Sequence, residues 1–423
     1  MLATLKNLGP LLIYSLGIIL FLLSLSGKVK YGLLFLVPLI PLQNVIEKLQ
    51  AFPMGKDLND LLLMGLIIGW IITTSSKREP IFQKTSFNMI LFLYILFTYF
   101  SLWHGSSFLG LPAPLSTLDP RVQNWKNYVT LPLLFLLAFN NLKDTKEIKR
   151  LFIFMCLSIL LMNFYTVRQV GDMTSWASRT KLSGTFVWLG ANEVAAFYAT
   201  YTFVLLGVFL TTKGKWLKLL LGVLILTNLY CDLFCFSRGA YLATLMAFLL
   251  IGIVRNKIFI IPVVIILIFW QSILPQKVIE RIKYTEHEGE LDISAQKRLD
   301  FWQESLEYFK SSPITGVGFN VVSQVGEKRD THNLYIRTLA EEGIIGFFFL
   351  VFIMFLALKR GIRLYQKTKD PFLKGLGLGF SGAVTAVMVG NMFGDRWTPL
   401  PLAAYFWVFL GMVERGNLIT NAA

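Results

Sequence analysis

Hydrophobic positions in this chain fall in long uninterrupted runs rather than in short or alternating clusters. The runs are about 17–22 residues each, long enough as helices to cross a hydrocarbon core of roughly 30 Å. They centre near Ile18, Leu36, Gly65, Leu93, Leu133, Ile159, Phe203, Leu224, Ala247, Ile265, Phe349, Val384 and Ala404. This pattern predicts about 12–13 helices, the first two divided only by SGKVKYG. No dyad alternation marks a barrel, and open strands leave backbone groups unpaired in lipid. The expected fold is therefore all-α, a polytopic transmembrane helical bundle.

The polar breaks between the runs give the bundle its sides. KREPIFQK after Ser76, NNLKDTKEIKR from Asn140, TTKGKWLK from Thr211, RNK from Arg255 and LKRGIRLYQKTKD from Leu358 are all basic. They recur after every second helix, so they share one side, and the excess of Lys and Arg makes that side cytoplasmic. The C-terminus is expected there too. The opposite side holds WHGSSFLGLPAPLSTLDPRVQN, VRQVGDMTSWASRTKLSGTFVWLG and one long hydrophilic segment, 275–333. Within that segment Leu299, Trp302, Leu306 and Phe309 recur at helical spacing, while Asp300, Glu304 and Glu307 fall on the other face. This predicts a short helix lying on the membrane surface, apolar side down, with Arg298 near its amino end. Pro313 ends it and GVGF supplies a flexible turn. The first apolar run, from about Pro10 to Leu25, lacks a strongly basic start and a cleavage site, so no cleaved leader is expected.

Composition sharpens the picture. Of 423 residues 55% are hydrophobic and only 15% charged, against about a quarter charged in soluble domains. The net charge is +15, from 40 Lys and Arg against 25 Asp and Glu. In a soluble protein that balance points to nucleic acid; here the basic inner loops account for it, and part of the excess can attract anionic headgroups. Membrane lipids are expected partners and nucleic acid is not. Cys156, Cys231 and Cys235 all sit in apolar runs. Without polar co-ligands they read as small buried hydrophobes, although Cys231 and Cys235 are one helical turn apart.

Few polar residues stand where chemistry is plausible. Arg238, in CFSRGAYLATLMAFLL, lies at the outer end of a span. A cation at membrane depth is costly and is either functional or snorkels to the headgroups. Arg298 is either an ordinary surface cation or half of a phosphate clamp with Arg238, since guanidinium forks match phosphate oxygens. His332 precedes an outer-leaflet helix beside Asn333; it is either a general base near neutral pH or a boundary residue bonding backbone. Glu341 and Glu342 follow about two turns into that helix, which implies pairing with Arg337 or a distant Arg. Asp395 and Arg396, in NMFGDRW, orient His332 or cap helices. Asn192, in LGANEVAAFYAT, is an N-cap or a polar contact to sugar. His104, at a membrane border, and His287, in TEHEGE, show no metal-ligand spacing, and no metal site is expected.

At this point the motifs are recognisable. SRGAYLA, FWQESLEYFKSSPITGVGFN and THNLYIRTLAEEGIIGFF resemble the signature region of the bacterial O-antigen ligase and O-antigen polymerase superfamily, and GTFVWLGANEVAAFYA resembles its approach. The resemblance covers about residues 185–360. It implies a GT-C-like bundle with one long extracytoplasmic loop, 275–333, containing short helices. The chain then divides into N-terminal transmembrane helices (1–184), a ligase-like core (185–360) and C-terminal transmembrane helices (361–423). It implies a metal-independent, inverting glycosyltransferase that needs no cofactor and resides as a multi-pass protein in the bacterial inner membrane, its site facing the periplasm. The donor would be a glycan on undecaprenyl diphosphate; the acceptor would be the lipid A core for a ligase, or another carrier-linked glycan for a polymerase. Arg238 and Arg298 would bind the diphosphate and His332 would act at the acceptor hydroxyl, with Asn192, Asn333, Glu341 and Asp395 in support. The stretch from Pro275 to His332 is short for this family. A lipid-linked oligosaccharide flippase or transporter is the competing class; against it, the chain shows no internal repeat and its polar candidates cluster on the outer side rather than at mid-depth.

Overall fold

Nearly every apolar run becomes a helix. The computed structural model describes residues 2–284, 286–287, 290–291, 293–325 and 331–422. The chain opens with α1 (Leu2–Leu25), α2 (Val29–Leu39), α3 (Gln43–Leu49) and α4 (Leu58–Ser76). Then come α5 (Asn88–Phe108), α6 (Pro120–Asn141), α7 (Thr145–Gly171), α8 (Ala191–Thr211), α9 (Lys215–Phe234) and α10 (Arg238–Val254). After α11 (Ile260–Ile273) and α12 (Gln276–Lys283), two-residue strands β1 (Glu286–His287) and β2 (Glu290–Leu291) pair antiparallel. The last helices are α13 (Ile293–Ser311), α14 (Leu334–Lys367), α15 (Pro371–Gly390) and α16 (Leu400–Ala422). Of TEHEGE, only the backbone pairing of the two strands is described, and 326–330 of the long loop lies outside the described residues.

Several helices start on side-chain caps. Asp119, Asp144 and Asp370 each accept a backbone N–H from the first turn of α6, α7 and α15, at 2.9, 2.8 and 2.8 Å. Pro120 and Pro371 occupy the first helical position, where a missing N–H costs nothing.

Eight of the described helices are long and apolar enough to cross a membrane, or up to ten if each bent pair is one span. The expected count of 12–13 is higher because it also took in α6, α10 and α16. α6 and α16 carry polar residues at their ends, and α10 has only 17 residues. The bent pairs are α2 with α3, at 109°, and the α11 region with α12, at 102°. At the centre α8 and α15 are the most enclosed spans, 83% and 78% buried, whereas α1 is 11% buried and presents Leu12 and Leu22 outward. α8 meets α15 through small residues: a Cβ on Gly207 would lie 2.3 Å from the Gly375 carbonyl oxygen and 2.5 Å from the Gly379 Cα. Close backbone approach through glycine is how helices gain packing where lipid offers no hydrophobic drive.

α14 is not continuous. Gly343 has φ 64 and ψ −162, which breaks the helix two turns after it begins. A broken helix exposes carbonyls that lipid cannot satisfy. Here the chain after Pro313 lies across the gap. Val317 N–H donates to the Ala340 carbonyl at 2.9 Å and Gly318 N–H to the Glu341 carbonyl at 2.8 Å; Ile344 N–H donates back to the Pro313 carbonyl at 2.9 Å. The GVGF motif, expected as a turn, is therefore also a backbone plug, and Gly316 (φ 70) and Gly318 (φ 123) take conformations that favour glycine.

α13 forms where the helical spacing predicted it and packs on α14. Protein covers only half of its expected apolar face. Trp302 and Phe309 are partly buried and Ser305 is buried, while Leu299 and Leu306 stay exposed, the side a bilayer surface would take.

Candidate functional site

Arg238 opens α10 directly after Ser237. The preceding Phe236 is buried in a left-handed conformation (φ 54), which turns its carbonyl toward two further arginines. Arg179 Nη1 donates to this oxygen, and Arg281 Nε donates to it at 3.4 Å. Arg179 comes from a 3-10 turn, Trp176–Lys181, and Arg281 from the buried side of α12. The Arg281 guanidinium lies 5.0 Å from the centre of the Trp176 ring, a cation–π contact that holds it in place. Burial, and after it the nearby Arg238 charge, pushes the Arg179 guanidinium below its ordinary range, while Glu193 offsets part of this. Cations gathered in a partly dehydrated site repel one another, and an anion entering the cluster relieves that cost.

Asn192 was expected as a helix cap or a sugar contact. The cap is instead Gly190, with the Glu193 carboxylate accepting from Gly190 N–H at 3.1 Å. Asn192 lies one residue inside the helix, and its Oδ1 accepts from Arg179 Nη2 at 3.2 Å. It thus joins the arginine cluster as an orienting group.

His332 is half-buried at the amino end of α14 with φ 50. Its neighbours fix it on both sides. Trp302 Nε1 donates to the Thr331 carbonyl at 2.8 Å, tying the segment to α13. Asn333 caps α14, its Oδ1 accepting from Tyr335 N–H at 3.0 Å and Ile336 N–H at 3.2 Å. Arg298 shares the Trp302 and Ser305 face of α13 by helical register.

The turn after α15 connects the two groups. The Asn391 carbonyl accepts from Leu334 N–H at 2.9 Å, next to His332. Phe393 presses on Gly239, where an added Cβ would lie 2.7 Å from the Phe393 Cβ. Arg238 and His332, 94 positions apart in sequence, each sit within two residues of this one turn. Further along, Arg396 pairs with Glu193 at 2.6 Å, and Asp395 pairs with Arg337 at 2.9 Å. Asp395 Oδ1 also accepts from the Trp397 and Thr398 N–H groups, both at 2.9 Å, closing the turn ahead of α16. Glu341 lies 3.7 Å from Arg337 and accepts from Val322 N–H at 3.0 Å. The expected pairing of the acids with Arg337 is present for Glu341; Glu342 turns toward Tyr94.

The structure thus gathers Arg238 and Asn192 with Arg179 and Arg281, sets Arg298, His332 and Asn333 along the α13–α14 contact, and places Glu341 and Asp395 around Arg337. Arg179 and Arg281 escape a reading of the sequence because each stands in a polar loop where a cation is ordinary. The usable signal was Trp176 three residues before Arg179, and Val278 three residues before Arg281 on an amphipathic helix.

No curated protein matches the chain. Residues 221–351, from within α9 through the first half of α14 and including Arg238, Arg298 and His332, match a family model described as O-Antigen ligase.

Proposed function

We propose that this protein transfers a glycan from undecaprenyl diphosphate to an acceptor hydroxyl on the extracytoplasmic face of the bacterial inner membrane, as an O-antigen ligase acting on the lipid A core. The observation that carries the reading is the meeting of Arg179 and Arg281 on the Phe236 carbonyl, two residues before Arg238, whose charge acts on Arg179. Such a donor has an apolar tail, a diphosphate at headgroup level and sugars in water. An enzyme for it needs cations at the membrane edge and a base just above them.

In this reaction His332 removes the proton of the acceptor hydroxyl. The oxygen attacks the anomeric carbon from the face opposite the leaving group, and the carbon–oxygen bond to the diphosphate breaks with its electron pair. Configuration inverts. Arg238 and Arg298, joined by Arg179 and Arg281, stabilise the charge that develops on the diphosphate, the role fixed cations play best when they need no reorganisation. Asn192 holds Arg179 in register, Asn333 holds the turn that carries His332, and Glu341 and Asp395 fix Arg337 behind it. With four guanidiniums available, transfer is expected to persist in EDTA.

The test is glycan transfer by the purified protein in proteoliposomes, with donor and candidate acceptors supplied. His332→Ala is expected to abolish transfer while donor binding persists. An Arg238→Ala/Arg298→Ala double variant is expected to lose donor binding. Full transfer by His332→Ala removes the base assignment, and undiminished binding by the double variant removes the clamp. Wild-type protein that extends carrier-linked glycan instead of modifying lipid A core would make it a polymerase.

A further inference from the structure

A second site lies on the other side of the 391–398 turn. A cavity of about 570 Å³ opens between the amino ends of α4, α6, α14 and α16, within the roughly 300–1,000 Å³ typical of small-molecule sites. Arg238, Arg298 and His332 do not line it. Its rim carries two exposed amides, Asn124 and Asn127, one turn apart on α6. Asn59 and Asn320 stand on its walls, Trp188 offers an exposed ring, and Glu342 forms part of the floor.

Two acceptors in this lining are unmet. Glu342 is 5% exposed, and its buried Oε2 has no hydrogen-bond partner among the described residues; the same is true of the buried Asn59 Oδ1. A buried polar atom left unsatisfied costs about 1–3 kcal/mol, so native structures rarely keep one without a use. Both atoms are acceptors, and both would be met by O–H donors. The charge balance points the same way. The cations of the lining are Lys56 and Arg337, and Arg337 is already engaged by Asp395 and Glu341. This cavity therefore presents little free positive charge to a phosphate.

We infer that the cavity binds an uncharged saccharide, its hydroxyls meeting Glu342 and the asparagine amides and a sugar face meeting Trp188. The arginine cluster and this cavity would then sort one class of substrate by charge, phosphate to one side and sugar to the other. The saccharide belongs to the donor or to the acceptor of the transfer reaction, and that assignment rests on the function proposed above. Binding itself does not.

The probe is the neutral oligosaccharide released by mild acid from the lipid-linked glycans of the producing cell, labelled at its reducing end. Fluorescence anisotropy with the purified full chain in detergent is expected to show saturable binding. Asn124→Leu/Asn127→Leu, at the exposed rim where folding is not at risk, is expected to weaken it by about tenfold or more, a lost hydrogen bond's worth. Millimolar inorganic diphosphate is expected to leave it unchanged. No saturable binding by the wild-type chain, or an unaltered Kd in the double leucine variant, overturns the inference. In proteoliposomes the same variant should raise KM for whichever substrate supplies the sugar; a rise for the acceptor assigns the site to the acceptor, a rise for the donor to the donor, and no rise for either overturns it. Wild-type protein that binds the saccharide but transfers none would sink the proposed reaction and leave this site standing.

Discussion

Replacing Gly343 with alanine should destabilise this protein by several kcal/mol. Gly343 sits at φ 64 and ψ −162, a region essentially closed to residues with a side chain. A Cβ there would lie 2.3 Å from the Ile314 oxygen, 2.4 Å from the Ile314 carbonyl carbon and 2.6 Å from Gly316 N. All three atoms are backbone, so no rotamer change relieves the contact. The chain must hold a strained conformation, at about 1–3 kcal/mol, or move the plug and leave at least one covered carbonyl unsatisfied, at about 1–3 kcal/mol more. The carbonyls at stake are those of Ala340 and Glu341. Either response costs about 1–3 kcal/mol and the two together about 2–6 kcal/mol, reaching the upper tail for single substitutions. The assay is thermal unfolding in detergent at one fixed scan rate, because large proteins commonly unfold irreversibly and the midpoint then depends on rate. Gly171→Ala is the control: nothing lies within 4 Å of its added Cβ. The control should match wild type, and Gly343→Ala should unfold several degrees earlier. A midpoint within about one degree of wild type would mean that the break in α14 relaxes without cost, and the plug argument fails.

Two further substitutions probe the site's supports. Trp302→Phe keeps a ring on the packed face but removes the 2.8 Å bond to the Thr331 carbonyl; kcat is expected to fall about tenfold through misplacement of His332 with the melting midpoint nearly unchanged, and an unaltered kcat would show that Trp302 does not position it. Arg337→Met removes the cation between Asp395 and Glu341 and should destabilise by about 3–5 kcal/mol, as breaking a buried pair does. A melting midpoint within about one degree of wild type would refute the assignment.

The features legible in the sequence are those that lipid enforces. Apolar runs must become helices because the bilayer offers backbone groups no partner, so α8, α9 and α15 lie where the runs do. Arg238 stood out because a cation at the end of an apolar span is expensive. Arg179 and Arg281 stood in polar loops, where composition makes them ordinary. Only burial against Trp176 and a shared carbonyl, set by the left-handed Phe236, turns them into a cluster. The bend of α2 into α3 was hidden for a related reason: its two arms are both apolar, and periodicity carries no information about direction. GVGF illustrates the same limit, since a turn is what its glycines permit locally, while the broken helix it covers lies some 25 residues downstream.

The 391–398 turn is where these separate readings meet. Asp395 and Arg396 are adjacent in sequence and opposite in charge, and either one alone reads as a cap. Their partners divide them. Arg396 reaches Glu193, at the start of the helix that holds Asn192 against Arg179, and Asp395 reaches Arg337, which borders the amide-lined cavity. Glu193 and Asp395 thus each neutralise an arginine that would otherwise add to the positive field. Engaging Arg337 in this way lowers the cavity's attraction for phosphate. The proposed donor, a glycan on a lipid diphosphate, presents both chemistries within one molecule, and the turn carries one ion pair on each flank, Arg396–Glu193 toward the arginine cluster and Asp395–Arg337 toward the cavity.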